Sequence, residues 1–590
     1  MIERFWFYPK QIDPTMIQTF IPWIRSMFFR TIFLVAILIF AFNCSTPTIA
    51  FEPQSSADLV IINAKIWTPS IETQQAIAIR SDSILAVGSN ALIESLIGPT
   101  TICIDARGGT VTPGPNDAHV HFLSGSLSMG QVDLTEVDTL LEIETRIRAF
   151  VAIHPDETCV VGRGWLYGAF PGGMPTKEQL DHLISDRPAI MKCYDGHTVW
   201  VNSKALKLAG INRASPDPPN GIIVRDPSTG EPTGALKEAA MELVDKLIPT
   251  PSTEEKLLAL KRGIAESHRF GITSVQEAGL KAADIELIEM LRVNQELKLR
   301  MNVALEAKPW MSEQDADQLE VIRKRFPQIP IRSVKFYADG VIESHTAAVL
   351  QPYSNHPSQG LMEYSEADFD RIVAMLDARG WQIMIHAIGD AGIRMSLNAI
   401  ERAVKLNPSL ERERRHRIEH IESISREDIP RFGQLGVIAS MQPYHASPNS
   451  NIFNVWAVNL VPDRASRAWC WKSIQDAGGK LAFGSDWPVV GIDPRQGIHT
   501  ALTRQTALGD PPNGFIPEQR LSLKIVLEAY TQGSAFAEFA EQQKGTLEVG
   551  KLANLAVWDC DLFSVPKHNV RTAAVTHTIF GGRIVYEAVP

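Results

Sequence analysis

Residues 111–126 read VTPGPNDAHVHFLSGS, which sets His119 and His121 one residue apart behind a Pro-Gly turn. In a strand, alternate side chains share a face, so both imidazoles point the same way and can grip one ion. On a helix they diverge by about 200°. The pair points to a metal site at a strand end, the alternative being two polar residues that touch nothing. Other metal-competent residues follow apolar runs: His386 in WQIMIHAIGD, His416 and His420 in RHRIEHIE, and Asp486 in LAFGSDWPV. Imidazole and carboxylate suit zinc, iron or manganese, and a coordination position left open makes such a site catalytic. Taken singly, each has an ordinary alternative as a hydrogen-bonded histidine or a turn aspartate. His416 and His420 cannot share one ion from a strand, because four residues span roughly 13 Å. His420, nearer the C-terminal end, is the better ligand. HRIEH also fits the H-x-x-E-H pattern of inverted-motif metalloproteases, which works only on a helix; the other strand-end ligands favour a strand. Lys335 stands inside the apolar IRSVKFYADG, where a lysine is costly unless paired or modified. It is either an ion-pair partner, with Asp339 the nearest candidate, or a carbamylated lysine whose carboxylate can bridge two cations.

The elements that must position these residues are legible in outline. The chain has 590 residues, 45% of them hydrophobic, enough for a large core and too many for one small domain. The net charge is −10 with both signs dispersed and no basic block, which argues against nucleic-acid binding. From 114 to 542, apolar runs expected as strands (189–194, 272–278, 331–338, 381–389, 416–422, 436–443, 480–486) alternate with helical stretches (253–269, 365–379, 391–406, 524–540). That rhythm predicts βα units on a parallel sheet, and its length suits a (β/α)8 barrel. Residues of about 160–250, rich in Gly, Pro and Asp, fit the repeat poorly and read as an insertion over one end of the barrel. Both ends of the chain, 57–113 and 543–590, are β-rich and predict one composite β-domain.

Near the N-terminus, Arg25 and Arg30 flank Met27, the apolar run TIFLVAILIFAF (31–42) comes next, and STPTIA follows with small residues at Thr48 and Ala50. This is the order of a secretory signal, and the run is short of the ~20 residues a membrane span needs. Residues 1–50 therefore predict export to the periplasm or another extracytoplasmic space, with cleavage near Ala50; an uncleaved anchor, or a start at Met16 or Met27, is the alternative. None of the six cysteines forms a CxxC pair, and cleavage would leave five, so at least one stays free or pairs between chains.

PGPNDAHVHF, DRPAIMKCYDGHTVWVNSKAL, VKFYADGVIESHTAA, HAIGD, HRIEHIE, MQPYH, GSDWPV and GTLEVGKLANLAVWD follow one another in an order that resembles the amidohydrolase superfamily, specifically its amidohydrolase-3 branch of YtcJ-like proteins and N-substituted formamide deformylases. The resemblance runs over residues 57–588. It implies an α/β fold, a metal-dependent (β/α)8 TIM-type barrel with a composite β-sandwich from both termini. It implies metal ligands at His119, His121, His386, His420 and Asp486, a bridging and carbamylated Lys335, and one or two divalent ions, zinc foremost. Asp486 would also be the catalytic acid–base. Asp195 and His197, Tyr444 and His445, and Trp165 and Trp487 would shape the substrate pocket, with packing inside the insertion as the alternative. The implied activity is hydrolysis of a non-peptide C–N bond in a small amide, N-acyl or N-formyl compound. A cyclic amidase or deaminase, or a binding protein that has lost its chemistry, are the alternatives. No nucleic-acid partner is implied, and a homo-oligomer is left open. Three positions depart from the pattern: Pro115 after Pro-Gly, Glu277 where relatives often have Asp, and Asn554 where Asp is usual.

Overall fold

A computed structural model describes residues 56–69, 71–135, 137–409 and 412–589. The expected export signal, 1–50, lies outside them. Eight parallel strands form the central sheet, here β1 (Asn116–Val120), β2 (Ser274–Leu280), β3 (Arg300–Glu306), β4 (Ile331–Tyr337), β5 (Gln382–Ala387), β6 (Arg417–His420), β7 (Ile438–Met441) and β8 (Lys480–Phe483). They lie side by side in chain order from β1 to β8. The seam between β8 and β1 closes just past the strands: Asp486 N–H donates to His119 O at 2.7 Å, and His121 N–H to Trp487 O at 2.7 Å. The result is the TIM-type barrel. Strands covered on both faces read as unbroken apolar runs, and β5, QIMIHA, is buried at every position. β3 falls outside the expected strands because Arg300 and Asn302 interrupt its apolar pattern.

Helices Thr253–Arg269, Glu366–Ala378 and Asp390–Leu406 pack outside the barrel close to their expected positions. The first is started by a capping box, Ser252 with Glu255, and the second by Ser365 accepting from Asp368 N–H. The expected helix 524–540 is broken: α-helix Leu523–Glu528 passes through a wide turn, Ala529–Gly533, into the short helix Ser534–Ala537. RIEH at 417–420 is strand, which overturns the helical metalloprotease alternative.

The insertion carries its own six-stranded sheet, whose strands run from Val132–Asp133 to Pro232–Glu238; it starts earlier than the expected 160. The expected strand at 189–194 belongs to this sheet, as Ala189–Cys193. Strands from both ends of the chain share another sheet, in which Leu555–Trp558 pairs with Thr110–Pro113. A second sheet, 59–105, packs its Leu59, Ile61 and Ile79 into one core with Val111, Leu555 and Ile579. Two sheets around one core make a β-sandwich. Asn554 ties this sandwich to the barrel: its carbonyl accepts Gly114 N–H at 2.9 Å, and its Oδ1 accepts Gly581 N–H at 2.9 Å. Pro115 leaves the strand entry intact, its carbonyl accepting Thr273 N–H at 3.1 Å. The five described cysteines are all free. No helix among the described residues is long and apolar enough to cross a membrane.

Candidate metal centre

The barrel register brings His119 (β1), Lys335 (β4), His386 (β5), His420 (β6) and Asp486 (after β8) to the C-terminal strand ends, where barrel chemistry is housed. One nitrogen each of His119 and His420 and one oxygen of Asp486 lie within 4.8 Å of one another, a set able to hold a metal ion. His119 Nε2 is 3.3 Å from Asp486 Oδ1, and His121 Nε2 is 3.5 Å from the same oxygen. The His386 ring centre is 4.5 Å from that of His420. Three atoms here are sealed from solvent without a hydrogen bond: His420 Nδ1, His445 Nε2 and Asp486 Oδ1. Buried polar atoms of that kind are costly unless something binds them. Neutral imidazoles beside a carboxylate are the donor set of a divalent transition ion, so the residues present fit one.

Burial, together with the nearby cationic groups, holds His119, His386 and His420 well below the ordinary histidine value, and His121 down to about 3. They are therefore neutral and able to ligate. Burial pushes the Asp486 carboxyl up to about 6. Lys335 is fully buried; its Nζ is 3.4 Å from His119 Nε2, and it forms no ion pair among the described residues. The Lys335–Asp339 alternative fails, because the Asp339 carboxylate is spent on the N–H groups of Ala348, Ile388 and Gly389 at 2.8–3.0 Å.

A buried support holds His119. Its Nδ1 bonds Glu419 Oε2 at 2.6 Å, and Arg417 grips Glu419 through Nε at 2.6 Å while donating to Ala118 O and Ser440 Oγ. The carboxylate fixes which ring nitrogen faces the cluster. Glu277, one of the departures, accepts Phe122 N–H at 2.6 Å and so anchors the residue after His121. His416 faces away and bonds Asp377 Oδ1 at 3.0 Å.

The cluster opens into a cavity of about 920 Å³ between the strand ends and the insertion. Asp195, His197 and His445 line it, as do His121, Lys335, His386, His420 and Asp486. His445 Nε2 is 3.9 Å from Asp486 Oδ2, and its ring lies parallel to that of His420. His197 Nδ1 bonds Glu238 Oε2 at 2.8 Å; burial alone would lower its pKa, but that carboxylate lifts it to about 9. Two tryptophans and one tyrosine stay out of the cavity wall. Trp165 is fully buried in the insertion core and donates to Met191 O at 2.8 Å. Trp487 packs edge-on against Phe122 with ring centres 5.6 Å apart. Tyr444 sits half-buried in the turn after β7. Sequence reasoning passed over Arg163, Glu343 and Glu422, which line the cavity. Glu422 carried a signal, lying two residues past His420 in IEHIE, and Glu343 stands within VKFYADGVIESHTAA; Arg163, in strand Val160–Trp165 of the insertion, carried none, since only the fold brings that strand over the cavity.

A closed parallel barrel with histidines and an aspartate converging at its C-terminal face is the architecture of a metal-dependent hydrolase. The chain belongs to the Amidohydrolase family, which matches residues 103–586, and is thus a hydrolase of C–N bonds. Protein LONG AFTER FAR-RED 3 of Arabidopsis thaliana is 31% identical to it, over 90% of this chain and 92% of that protein. N-substituted formamide deformylase of Arthrobacter pascens is 26% identical, over 90% of this chain and 98% of that protein. A crystal structure of an uncharacterized metal-dependent hydrolase from Pyrococcus horikoshii OT3 shares the fold with a TM-score of 0.67 at 22% identity, over 86% of this chain and 99% of its own.

Proposed function

We propose that this hydrolase cleaves a linear amide, N-acyl or N-formyl bond in a small molecule, using zinc held by His119, His121, His386, His420 and Asp486. The observation that carries it is the convergence of buried, unpartnered His420 Nδ1, His445 Nε2 and Asp486 Oδ1 on one cavity. A divalent ion bound there would lower the pKa of a water and polarise a carbonyl. Asp486 takes the proton of the attacking water and returns it to the leaving nitrogen. His445 Nε2, 3.9 Å from Asp486 Oδ2, is placed to donate to the substrate carbonyl oxygen as charge develops on it. The insertion supplies one wall of the cavity, through Arg163, Asp195, His197 and Glu238. Similarity to an N-substituted formamide deformylase supports a linear amide over a cyclic one.

Lys335 as a carbamate would set an anion among the neutral imidazoles, which suits a buried lysine with no ion-pair partner among the described residues. Export is also proposed, on the order of charge, apolar run and small residues in 1–50; N-terminal sequencing of the secreted or periplasmic chain should begin near Phe51.

The test is elemental analysis of the purified protein, followed by assay of N-substituted formamides, acetamides, hydantoins and aminopurines before and after chelation. One or two equivalents of zinc, chelator-sensitive formate or acetate release and weak action on the rings are expected. Ammonia release from an aminopurine with inert linear amides would replace this reading with a deaminase. Two equivalents, falling to one in Lys335→Ala, are expected if Lys335 bridges.

A further inference from the structure

Glu343, in the loop after β4, and Glu422, two residues past β6, are each 6% exposed and both lie in the cavity wall. Neighbours orient them. The Tyr194 hydroxyl and Asn451 Nδ2 donate to Glu343 Oε1, and Trp456 Nε1 donates to Glu422 Oε2 at 2.7 Å. That commits one oxygen of each carboxylate. Among the described residues no lysine or arginine forms an ion pair with either; Glu422 has only His445 Nδ1, at 3.8 Å. Two further side chains, more than nine-tenths buried, are left with an unmet polar atom here. Asn451 has no donor for its Oδ1, and His445, in the cavity wall, has no partner for its Nε2. Two carboxylates in a water-poor wall with no lysine or arginine bound to either are a site for a cation.

The cavity's own cations are engaged elsewhere: His197, the one whose field also reaches Glu422, is paired with Glu238 Oε2 at 2.8 Å. The field of Arg163 falls on His121 and Asp486, and Lys335 is against His119. His445 separates the two compartments, with Nε2 3.9 Å from Asp486 Oδ2 and Nδ1 3.8 Å from Glu422 Oε1. A second hard metal ion is a poor occupant of the carboxylate side, since two carboxylates fall well short of the 6–8 oxygens a calcium ion takes. An organic ammonium needs only acceptors.

Resting on the amide-hydrolase reading above, we infer that the substrate carries a cationic amine or amidine group bound by Glu343 and Glu422, one imidazole width from the scissile bond. An N-acylated short diamine has that form.

Three substrates of one length test this on the zinc-loaded enzyme: N-formyl-1,3-diaminopropane, N-butylformamide and 4-formamidobutanoate. The cationic compound should exceed the neutral one in kcat/KM by at least about tenfold, chiefly through KM, with the anionic one poorest. In Glu343→Gln and in Glu422→Gln the cationic-to-neutral ratio should fall toward one. A neutral compound as good as the cationic one, or a ratio unchanged in both variants, overturns the inference. Calorimetric titration of the enzyme with 1,3-diaminopropane reads the site without turnover. Binding that is lost in Glu343→Gln supports it even if no formamide is cleaved, which would sink only the amide reading; no binding to the parent enzyme overturns it.

Discussion

Asp486 and His420 share an uncommon backbone state, with φ of +62° and +71°. Non-glycine residues are rarely held there, and the strain persists only where surrounding structure imposes it. At Asp486 the hydrogen bond from its N–H to His119 O holds the residue in that state, with the carboxylate in the cluster. Asp486→Asn keeps the shape and removes the base; kcat should fall about 10²- to 10⁴-fold. Initial rates of the zinc-loaded variant check this, and a rate within tenfold of the parent would refute the proton shuttle. Glu419 touches no substrate and acts through His119 Nδ1. Glu419→Gln should weaken metal binding about 10- to 100-fold, read by competition with a chromogenic chelator, while Glu419→Asp recovers part of the loss.

At the scale of elements, the barrel seam is also the floor of the site. A Cβ on Gly484 would stand 2.5 Å from His119 N, a β1 backbone atom, and 2.7 Å from Asp117 Oδ1, which is held by the N–H groups of His119 and Ser485. Gly484→Ala therefore forces β8 away from β1. A loss of about 1–3 kcal/mol is expected, seen as a lower unfolding midpoint together with reduced metal content. Unchanged metal content with a lowered midpoint would show that seam and cluster are independent. The wide turn at Ala529–Gly533 lies where the chain crosses β8 closely: a Cβ on Gly533 would meet Leu481 O at 2.3 Å, so only glycine fits there.

At the scale of the whole molecule, acid stability depends on buried ion pairs remote from the cavity. Burial would raise the Asp377 pKa, but His416, Asn407 and Arg414 together bring it from 3.8 down to about 2. A folded value below the unfolded one adds stability above pH 3.8, lost as pH falls through about 2. His416, lowered from 6.5 chiefly by burial, adds a loss that begins as pH drops below 6.5. Urea unfolding of the parent should weaken steeply between pH 4 and 2, and that of Asp377→Asn less so; equal slopes would remove Asp377 from the account.

Sequence by itself determined the candidate ligand types and their order, because H-x-H follows a Pro-Gly turn while HAIGD, IEH and G-S-D each sit where an apolar run stops. It also determined the barrel rhythm and the two β-rich ends, since periodicity is a local property of the chain. What only the tertiary structure decided were distances set by closure. Sequence left open whether Lys335 pairs with Asp339, whether HRIEH is helix or strand, and which aromatic residues reach the cavity. Trp165 and Trp487 lie in family-like segments yet face cores, because a side chain's direction follows from what its strand packs against. Glu343 and Glu422, 79 positions apart, share a cavity wall only because β4 and β6 flank β5 in one closed sheet.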